Sequence, residues 1–442
     1  MFRNVFSSSS RIKSIDPRVG FWRAFSLLTL LLPRGIVYGQ SQPPAVRIDL
    51  DQAIQLALAH NHALKAARTL VQQSEAQEGT AALRLNPVLT TNYSFVPLFS
   101  PSNFDLPISQ NPLPEQFDAG VSYTIERGHK RQARVAAARD MTTVTRSQVN
   151  DTERALTFGV AQQFVGALLA KSNLEFATHN LESFQQSVGV SESRYKAGDI
   201  SEGDFLKIRL QLLQFQTDVS FAQLALAQAF AGLRRLIGYD AVPADYDITG
   251  DLAYSPLRGN KEDLQLAAIK QRPDLLAAQQ SVTAAHSQYL LAKADAKRDL
   301  TTSFLYSHVT GVNAASFGSN IEMPFFNRNQ GEIARTRYAI TQSEEIRRAT
   351  EEVVMTDVAN AYEAVREDDK IVQLFLSGAL KYAQDSRDIS AYAYQHGAAS
   401  LLDFLDAERS YRSAQLAYRQ ALATYMLSIE QLRQAVGTRS LP

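Results

Sequence analysis

The chain has 442 residues, carries 45 basic and 45 acidic side chains, and contains no cysteine. Because the net charge is zero, there is no electrostatic argument for nucleic-acid binding. The lack of cysteine excludes disulfides, cysteine-based zinc sites, thiol catalysis and a lipid-anchoring cysteine after a leader peptide.

Residues 1–39 have the features of a signal peptide. Several basic residues between Arg3 and Arg23 precede the apolar run AFSLLTLLL, from Ala24 to Leu32. This run has the length of a signal-peptide core and is too short to span a bilayer as a helix. We therefore predict export and cleavage after Gly39. No later stretch is long and apolar enough to predict a transmembrane helix.

The rest of the sequence is a tandem repeat. Tyr195–Gly238 aligns without a gap on Tyr394–Gly437 at a constant offset of 199, with 11 identities in 44 positions. Earlier in each copy, Leu-Thr-Thr at 89–91 matches Leu-Thr-Thr at 300–302, at an offset of 211. Self-similarity over such a distance indicates a duplicated structural unit. Each copy therefore has the order helix, strand, loop, strand, long helix, turn, helix.

The pattern predicts a mainly α-helical protein with long helical hairpins. No proline lies between Pro114 and Pro243 or between Pro324 and Pro442, as long helices require. Within the first of these runs, apolar residues from Ile208 to Leu236 alternate in steps of four and three, which is a coiled-coil seam. The first repeat is predicted over 40–240, with helices 51–85, 131–196 and 200–237 and strands 88–96 and 117–126. A linker follows over 241–259. The second repeat is predicted over 260–442, with helices 261–298, 331–395 and 399–436 and strands 300–309 and 317–326.

The predicted strands have one apolar and one polar face. In FDAGVSYTIE, from Phe117 to Glu126, apolar and polar residues alternate with a period of two. Each strand has about nine or ten residues, the length that crosses a bilayer when tilted. Spanning barrels need about eight strands or more, so four strands per chain predict a membrane barrel shared by several copies. The alternative is a small soluble sheet that covers a core.

Several motifs resemble the TolC-type outer-membrane efflux family over essentially the whole mature chain. The opening pattern of each repeat is IDLDQAIQLALAHNHALKAAR from Ile48 and QLAAIKQRPDLLAAQ from Gln265. The two hairpin tips read RYKAGDISEGDFL and YQHGAASLLDFLDAERSY. IERGHKRQAR from Ile125 and MPFFNRNQGEIARTR from Met323 resemble the heavy-metal-resistance branch, the cobalt–zinc–cadmium type.

The resemblance implies a homotrimer with a twelve-stranded β-barrel in the outer membrane and a long helical tunnel in the periplasm. It also implies docking to a periplasmic membrane-fusion adaptor and an inner-membrane pump of the resistance-nodulation-division class. The chain would then be a passive conduit for heavy-metal cations or small toxic compounds. It would have no cofactor, and we find no catalytic constellation or phosphate-binding loop in the sequence.

The same resemblance implies residues for a gate. Asp403 and Asp406 match aspartates that can form rings at the periplasmic constriction, and their alternative role is that of solvated residues at a helix tip. Tyr394 matches a tyrosine that bonds to the first hairpin, where Asp204 is the matching acceptor. An arginine of the family is replaced by Ala399. The residues expected to contact the adaptor, or simply to shape the turns, are Gly198, Asp199, Ile200, Ser201, Gly397, Ala398, Ala399 and Ser400.

Two alternative functions stay open from the sequence. A conduit for secreted polypeptides, of the type I kind, would have the same fold. A soluble periplasmic coiled-coil scaffold would account for the helices but not for four strands of bilayer length. The seven histidines do not have metal-ligand spacing: His60 and His62, for example, are two residues apart on a predicted helix and point in different directions.

Overall fold

A computed structural model describes residues 46–94, 116–309 and 311–441. The predicted signal peptide and the end of the predicted strand 88–96 lie outside these residues. The first copy contains β1 (Arg47–Ile48), α1 (Leu50–His60), α2 (His62–Ala82), β2 (Val88–Ser94), β3 (Gln116–Ile125), α3 (Lys130–Ala197) and α4 (Glu202–Ile237). The second contains β4 (Asp247–Ile248), α5 (Lys261–Gln271), α6 (Pro273–Asp295), β5 (Leu300–Val309), β6 (Val312–Ile321), α7 (Gln330–Leu374), α8 (Leu380–Gln395) and α9 (Leu401–Val436). The mainly helical fold with four long strands is the one predicted.

Two helices, separated by one extended residue, replace the first predicted helix of each copy. The predicted helix 51–85 breaks at Asn61, and the predicted helix 261–298 breaks at Arg272; both residues have extended backbone angles. Proline at 273 disfavours a helical conformation at the residue before it. Asn61 caps α2 and donates from Nδ2 to the carbonyl oxygen of Leu236 at 2.9 Å. Arg272 donates to the carbonyl oxygen of Ala435 at 3.3 Å. The two contacts are related by the sequence repeat.

Arg272 adds an ion network that the first copy lacks. Its side chain is only 3% exposed and contacts Asp274 at 2.5 Å and Asp357 at 2.8 Å. We expect Arg272→Met to lower the free energy of unfolding by about 3 kcal/mol, because two carboxylates lose their buried partner. Thermal unfolding followed by circular dichroism measures this loss. Arg366→Met, which removes only exposed ion pairs to Glu363 and Glu367 within α7, is the matched control and should change stability by less than about 0.5 kcal/mol.

The long helices form two hairpins of unequal continuity. α3 has 68 residues, about 100 Å at 1.5 Å per residue. The corresponding helix of the second copy was predicted as continuous over 331–395, but a π-helical turn at Phe375–Ala379 separates α7 from α8. Gly378 has φ +133° there, a conformation that side chains with a Cβ rarely adopt. The seam predicted in α4 is buried or half-buried at every position from Ile208 to Leu236.

The linker predicted over 241–259 is not structureless. It contains β4, which pairs in parallel with β1, and Lys171 of α3 contacts Asp247 at 2.7 Å. This small ladder fastens the start of the first repeat to the start of the second. No helix in the described part of the chain is both long and apolar enough to cross a membrane.

The four long strands form one antiparallel sheet in the order β2-β3-β5-β6. The strand predicted over 317–326 is wrong in its bounds, because β6 spans Val312–Ile321. Val309 pairs with Val312, and this register against β5 fixes where β6 begins. Pro324 lies beyond the strand, where its missing N–H removes no ladder bond.

The two faces of the sheet differ in polarity as predicted. On one face Val121 lies between Leu89 and Phe304, which in turn pairs with Phe317. These side chains are exposed, and Phe317 is 85% exposed. On the opposite face Asp118 accepts a hydrogen bond from Ser307 Oγ at 2.5 Å. The protomer therefore presents an uncovered apolar sheet face, as a strand facing lipid requires.

Candidate functional site

The two hairpin tips have the same local structure. α3 ends at Gly198 and α8 ends next to Gly397, and these glycines have φ of +83° and +76°. Glycine adopts this left-handed conformation without a Cβ penalty and lets the chain turn back after a helix. The N–H groups of Gly198 and Gly397 bond to the carbonyl oxygens of Tyr195 and Tyr394 at 3.0 and 3.1 Å. The sequence repeat is thus also a structural repeat at the tips.

A serine and an aspartate begin each return helix. Ser201 Oγ accepts from the N–H of Asp204 at 3.1 Å, and Ser400 Oγ accepts from the N–H of Asp403 at 3.2 Å. In the second tip the Asp403 carboxylate also accepts from the backbone N–H of Ser400, at 3.3 Å, which completes a capping box. Asp204 accepts from Ser201 Oγ at 3.0 Å and contacts Lys207 at 3.2 Å. These two hydrogen bonds lower the pKa of the Asp204 carboxyl.

Tyr394 links the second hairpin to the first, but not through Asp204. Tyr394 is 3% exposed and its hydroxyl lies 3.1 Å from Ser191 Oγ of α3. The assignment of Asp204 as the acceptor is therefore wrong within the protomer, because this carboxylate is satisfied by its own helix. The contact with the first hairpin that was expected of Tyr394 is present, six residues before the end of α3.

Arg194 is a tip residue that the sequence reasoning missed. It donates from Nη1 to the carbonyl oxygen of Tyr394 at 2.5 Å, and its guanidinium carbon lies 5.2 Å from the centre of the Tyr394 ring. Arg194 is the first residue of the tip motif RYKAGDISEGDFL, and this position could have indicated its role from the sequence. With Ala399 in place of an arginine in the second tip, the cation that joins the two hairpins comes from α3.

An aromatic layer packs directly behind the tips. Phe184 of α3 stacks on Phe215 of α4 at 4.3 Å between ring centres, and Phe404 of α9 stacks on Tyr394 at 5.2 Å. Ile208 and Leu401 complete this buried cluster. Stacked aromatic rings stabilise a fold by more than the burial of their apolar surface alone. The cluster therefore holds both hairpins together just above the turns.

Asp403 and Asp406 lie on a face of α9 that packs against nothing in the protomer. Both are exposed, while Phe404 and Ala407, each the next residue along α9, are buried. Asp406 forms an ion pair with Arg409 at 2.5 Å, one turn along the same helix. The two carboxylates are three residues apart and so share a face of the helix. Both carboxylates are therefore open to solvent in the protomer.

Two residues after Asp406 in α9, Glu408 is buried without an ion pair among the described residues. Buried Asn180 of α3 lies at the same level, since ring contacts between α3 and α9 at 6.2 and 6.1 Å lie on either side of both residues. Within the part of the chain that the structure describes, the Asn180 Oδ1 atom has no hydrogen-bond partner. Burial raises the pKa of Glu408, although Arg387 and Arg412 oppose this shift. The interface between the hairpins thus contains a carboxyl whose pKa is raised by its burial.

Residues of both turns line one open groove of 450 Å³. From the predicted docking set it includes Asp199, Ile200, Ser201, Ala399 and Ser400. Gly198, Gly397 and Ala398 shape the turns and do not line the groove. Arg194 and Lys207 also border it, so the groove has basic and acidic groups on its walls. The two tips therefore present one composite surface rather than two separate loops.

The comparison with known protein families gives a separate match for each of the two repeats. The model described as outer membrane efflux protein matches residues 53–239 and 265–438, one match for each copy. The chain belongs to this family. It is accordingly an outer-membrane efflux channel with a large periplasmic portion, and not an enzyme.

Several curated relatives belong to efflux systems. The pyoverdine export outer membrane protein OpmQ of Pseudomonas aeruginosa is 24% identical over 88% of this chain and 84% of its own. The cation efflux system protein CusC of Escherichia coli is 28% identical over 58% of each chain. The cobalt-zinc-cadmium resistance protein CzcC of Cupriavidus metallidurans is 24% identical over 84% of this chain and 85% of its own.

Solved structures of efflux channels share the fold. The crystal structure of CusC has a TM-score of 0.71 at 21% identity and covers 89% of this chain and 93% of its own. The open state of the MtrE channel of Neisseria gonorrhoeae also has a TM-score of 0.71, at 20% identity, and covers 88% of this chain and 89% of its own.

Proposed function

We propose that three copies of this efflux channel close a passive, gated conduit with a twelve-stranded barrel in the outer membrane. The observation that supports this proposal is the four-stranded sheet with an apolar outer face. Its terminal strands, β2 and β6, have one unpaired edge each, and lipid does not tolerate an open edge. Pairing β6 of one copy with β2 of the next removes every edge. One or two copies would supply at most eight strands. A barrel of eight strands is too narrow to continue the tunnel that the paired hairpins form.

The proposed partners are a periplasmic membrane-fusion adaptor and a resistance-nodulation-division pump in the inner membrane. We assign adaptor contact to the composite groove and to the glycine turns beside it. The groove lies at the far end of the hairpins from the strands, and it combines exposed apolar, acidic and basic groups. Such a mixed surface suits a reversible contact between proteins. The pump would supply the energy, since the channel contains no nucleotide-binding motif.

We further propose that Asp403 and Asp406 form the narrowest charged rings of the closed tip, with Tyr394 and Arg194 holding the hairpins in place. Three copies of each carboxylate around one axis repel one another and attract cations. The support is that both carboxylates are exposed and lie three residues apart on α9, so that they share a face of the helix.

Replacing Asp403 and Asp406 by alanine should raise single-channel conductance at neutral pH and lower cation selectivity, because the repelling rings are removed. Planar-bilayer recordings measure both quantities. Asp199→Ala, which removes an exposed tip carboxylate outside α9, is the control. If the double variant conducts and selects like the unchanged protein, the aspartates act only as cap and surface residues.

The proposed substrates are heavy-metal cations or small toxic compounds. CusC and CzcC are named for cation efflux and for cobalt–zinc–cadmium resistance, whereas OpmQ is named for the export of pyoverdine, so the relatives span both classes. Deleting the gene and testing growth on a panel of metals, drugs and solvents decides between the classes. Sensitivity confined to metals would support cation efflux, and loss of a secreted polypeptide would instead favour a secretion conduit.

The trimer itself is tested by the mass of the detergent-purified protein, measured by light scattering corrected for bound detergent. We expect three copies per particle. A stable monomer or dimer that still conducts ions would contradict the proposed barrel.

A further inference from the structure

Basic residues are absent from the membrane part of the chain and resume abruptly at its limits. The sequence contains no lysine or arginine from Leu85 to Glu126 or from Asp299 to Asn327. These two stretches include all four long strands and both strand–strand connections. Arg84, Arg127, Arg298 and Arg328 follow immediately on either side. Such an abrupt boundary in the distribution of basic residues indicates that the environment of the chain changes at one height along the molecule.

The register of the sheet brings these boundaries to one end. Ile125 pairs with Leu300, and Leu300 pairs with Ile321. Val88, the first residue of β2, pairs with Ser122, three residues before the end of β3. This is the end at which the strands join the helices, and it is therefore the periplasmic end of the barrel. Every strand thus has basic residues beyond its periplasmic end, while the opposite end has none in its sequence.

Some of these cations have partners inside the protomer. Lys130 contacts Asp299 at 2.9 Å, Arg134 contacts Glu126 at 2.7 Å, and Arg298 contacts Glu322 at 2.9 Å. These pairs join the strand ends to the first turns of the helices. The fold itself therefore explains why these three basic residues are present.

A second set has no ion-pair partner among the described residues. Arg84 lies four residues before β2, Arg127 two residues after β3, and Lys297 three residues before β5. Arg328 follows β6, and its Nε donates only to the carbonyl oxygen of Pro324, at 3.2 Å. All four side chains are exposed. Each strand therefore has one exposed cation without an ion pair in the described part of the chain, within seven residues of its periplasmic end.

An apolar segment lies at the same level. Met323, Phe325 and Phe326 follow β6 directly, and Phe326 is 94% exposed. Arg298 keeps the segment beside the start of β5 through its bonds to Glu322 and to the carbonyl oxygen of Asn327. Exposed aromatic rings beside cations match the boundary between acyl chains and headgroups.

We propose that Arg84, Arg127, Lys297 and Arg328, together with Phe325 and Phe326, form a binding surface for anionic phospholipid at the periplasmic face of the outer membrane. The cations contact the headgroup phosphates while the rings enter the adjoining acyl region. Three copies present twelve such cations around the barrel. This inference rests on the proposed barrel, since only a closed barrel brings the four strand ends to a continuous lipid boundary.

The test measures lipid selectivity of the detergent-purified protein by native mass spectrometry. The protein is equilibrated with mixed micelles of equal phosphatidylglycerol and phosphatidylcholine, and the retained lipids are counted. Because each nearby cation favours an anionic lipid by roughly fivefold, the unchanged protein should retain phosphatidylglycerol in clear preference. The variant Arg84→Gln, Arg127→Gln, Lys297→Gln, Arg328→Gln should retain the two lipids about equally.

The control removes the same charge from the helical part. It carries Lys65→Gln, Arg235→Gln, Lys270→Gln and Lys381→Gln, four exposed cations without ion pairs, and it should keep the preference. Equal selectivity in both variants, or none in the unchanged protein, would overturn the inference. Particle mass and conductance are recorded on the same samples. A missing trimer then refutes the proposed function, whereas an intact conducting trimer without lipid preference refutes only this surface.

Discussion

Phe317→Arg is expected to prevent most of the protein from assembling in the outer membrane. Phe317 lies in the middle of β6, on the apolar face of the sheet, and its ring is 5.1 Å from that of Phe304. An arginine at the bilayer midplane of a barrel costs about 2–4 kcal/mol. Since every protomer of a trimer would carry the change, the cost is incurred three times. Quantifying the channel in isolated outer membranes measures the loss.

The neighbouring residue provides the matched control. Ser316 pairs with Leu305 on the opposite face of the same strand, which the proposed barrel turns toward water. Ser316→Arg should therefore leave the amount of assembled channel close to normal. If Ser316→Arg were as damaging as Phe317→Arg, or if Phe317→Arg were harmless, the assignment of the two faces to lipid and water would be wrong.

Arg194→Ala is expected to leave the tip of the channel permanently looser. The change removes a 2.5 Å hydrogen bond to the Tyr394 carbonyl oxygen and the stacking of the guanidinium on the Tyr394 ring. A hydrogen bond from a charged group contributes about 1.5–3 kcal/mol, which corresponds to a shift of roughly tenfold or more toward the open tip. Recordings in planar bilayers should show higher conductance and longer openings.

Lys196→Ala tests whether any lost tip cation has this effect. Lys196 is on the same last turn of α3 and contacts only Glu192 of that helix, at 2.8 Å. Its removal should leave conductance unchanged. Tyr394→Phe, which deletes only the hydroxyl facing Ser191, should fall between the two. A conductance of Arg194→Ala equal to that of Lys196→Ala would mean that the link between the hairpins does not restrain the channel.

The sequence predicts those elements that are encoded by long, regular patterns. Alternation in Phe117–Glu126 and the four–three spacing from Ile208 to Leu236 each describe a continuous surface, so strand and seam were located closely. The bounds of β6 were wrong because its first half, VNAAS, has small side chains with little contrast between faces. The pairing of Val309 with Val312 decides its register, and a pairing of this kind leaves no periodic signal.

Breaks in helices depend on contacts with distant segments and were mostly missed. Pro273 could have indicated the break at Arg272, whereas Asn61 breaks its helix by bonding to Leu236, 175 residues away. The tip shows the same limit. A bond from Tyr394 to the first hairpin could be predicted, but not its acceptor, because Asp204 finds nearer partners in Ser201 and Lys207. Local hydrogen bonds of this kind compete with long-range ones.

The interruption at Phe375–Ala379 makes the two copies mechanically different. α3 runs unbroken from the sheet to its tip, whereas the equivalent helix of the second copy has a single point at which Gly378 allows the backbone to rotate. A helix bends most easily where its ladder of i to i−4 bonds is already disturbed. We therefore expect α8, with Tyr394 near its end, to rotate about this point while α3 keeps its position. An interruption in only one of two duplicated helices would thus leave one hairpin stationary and make the other mobile.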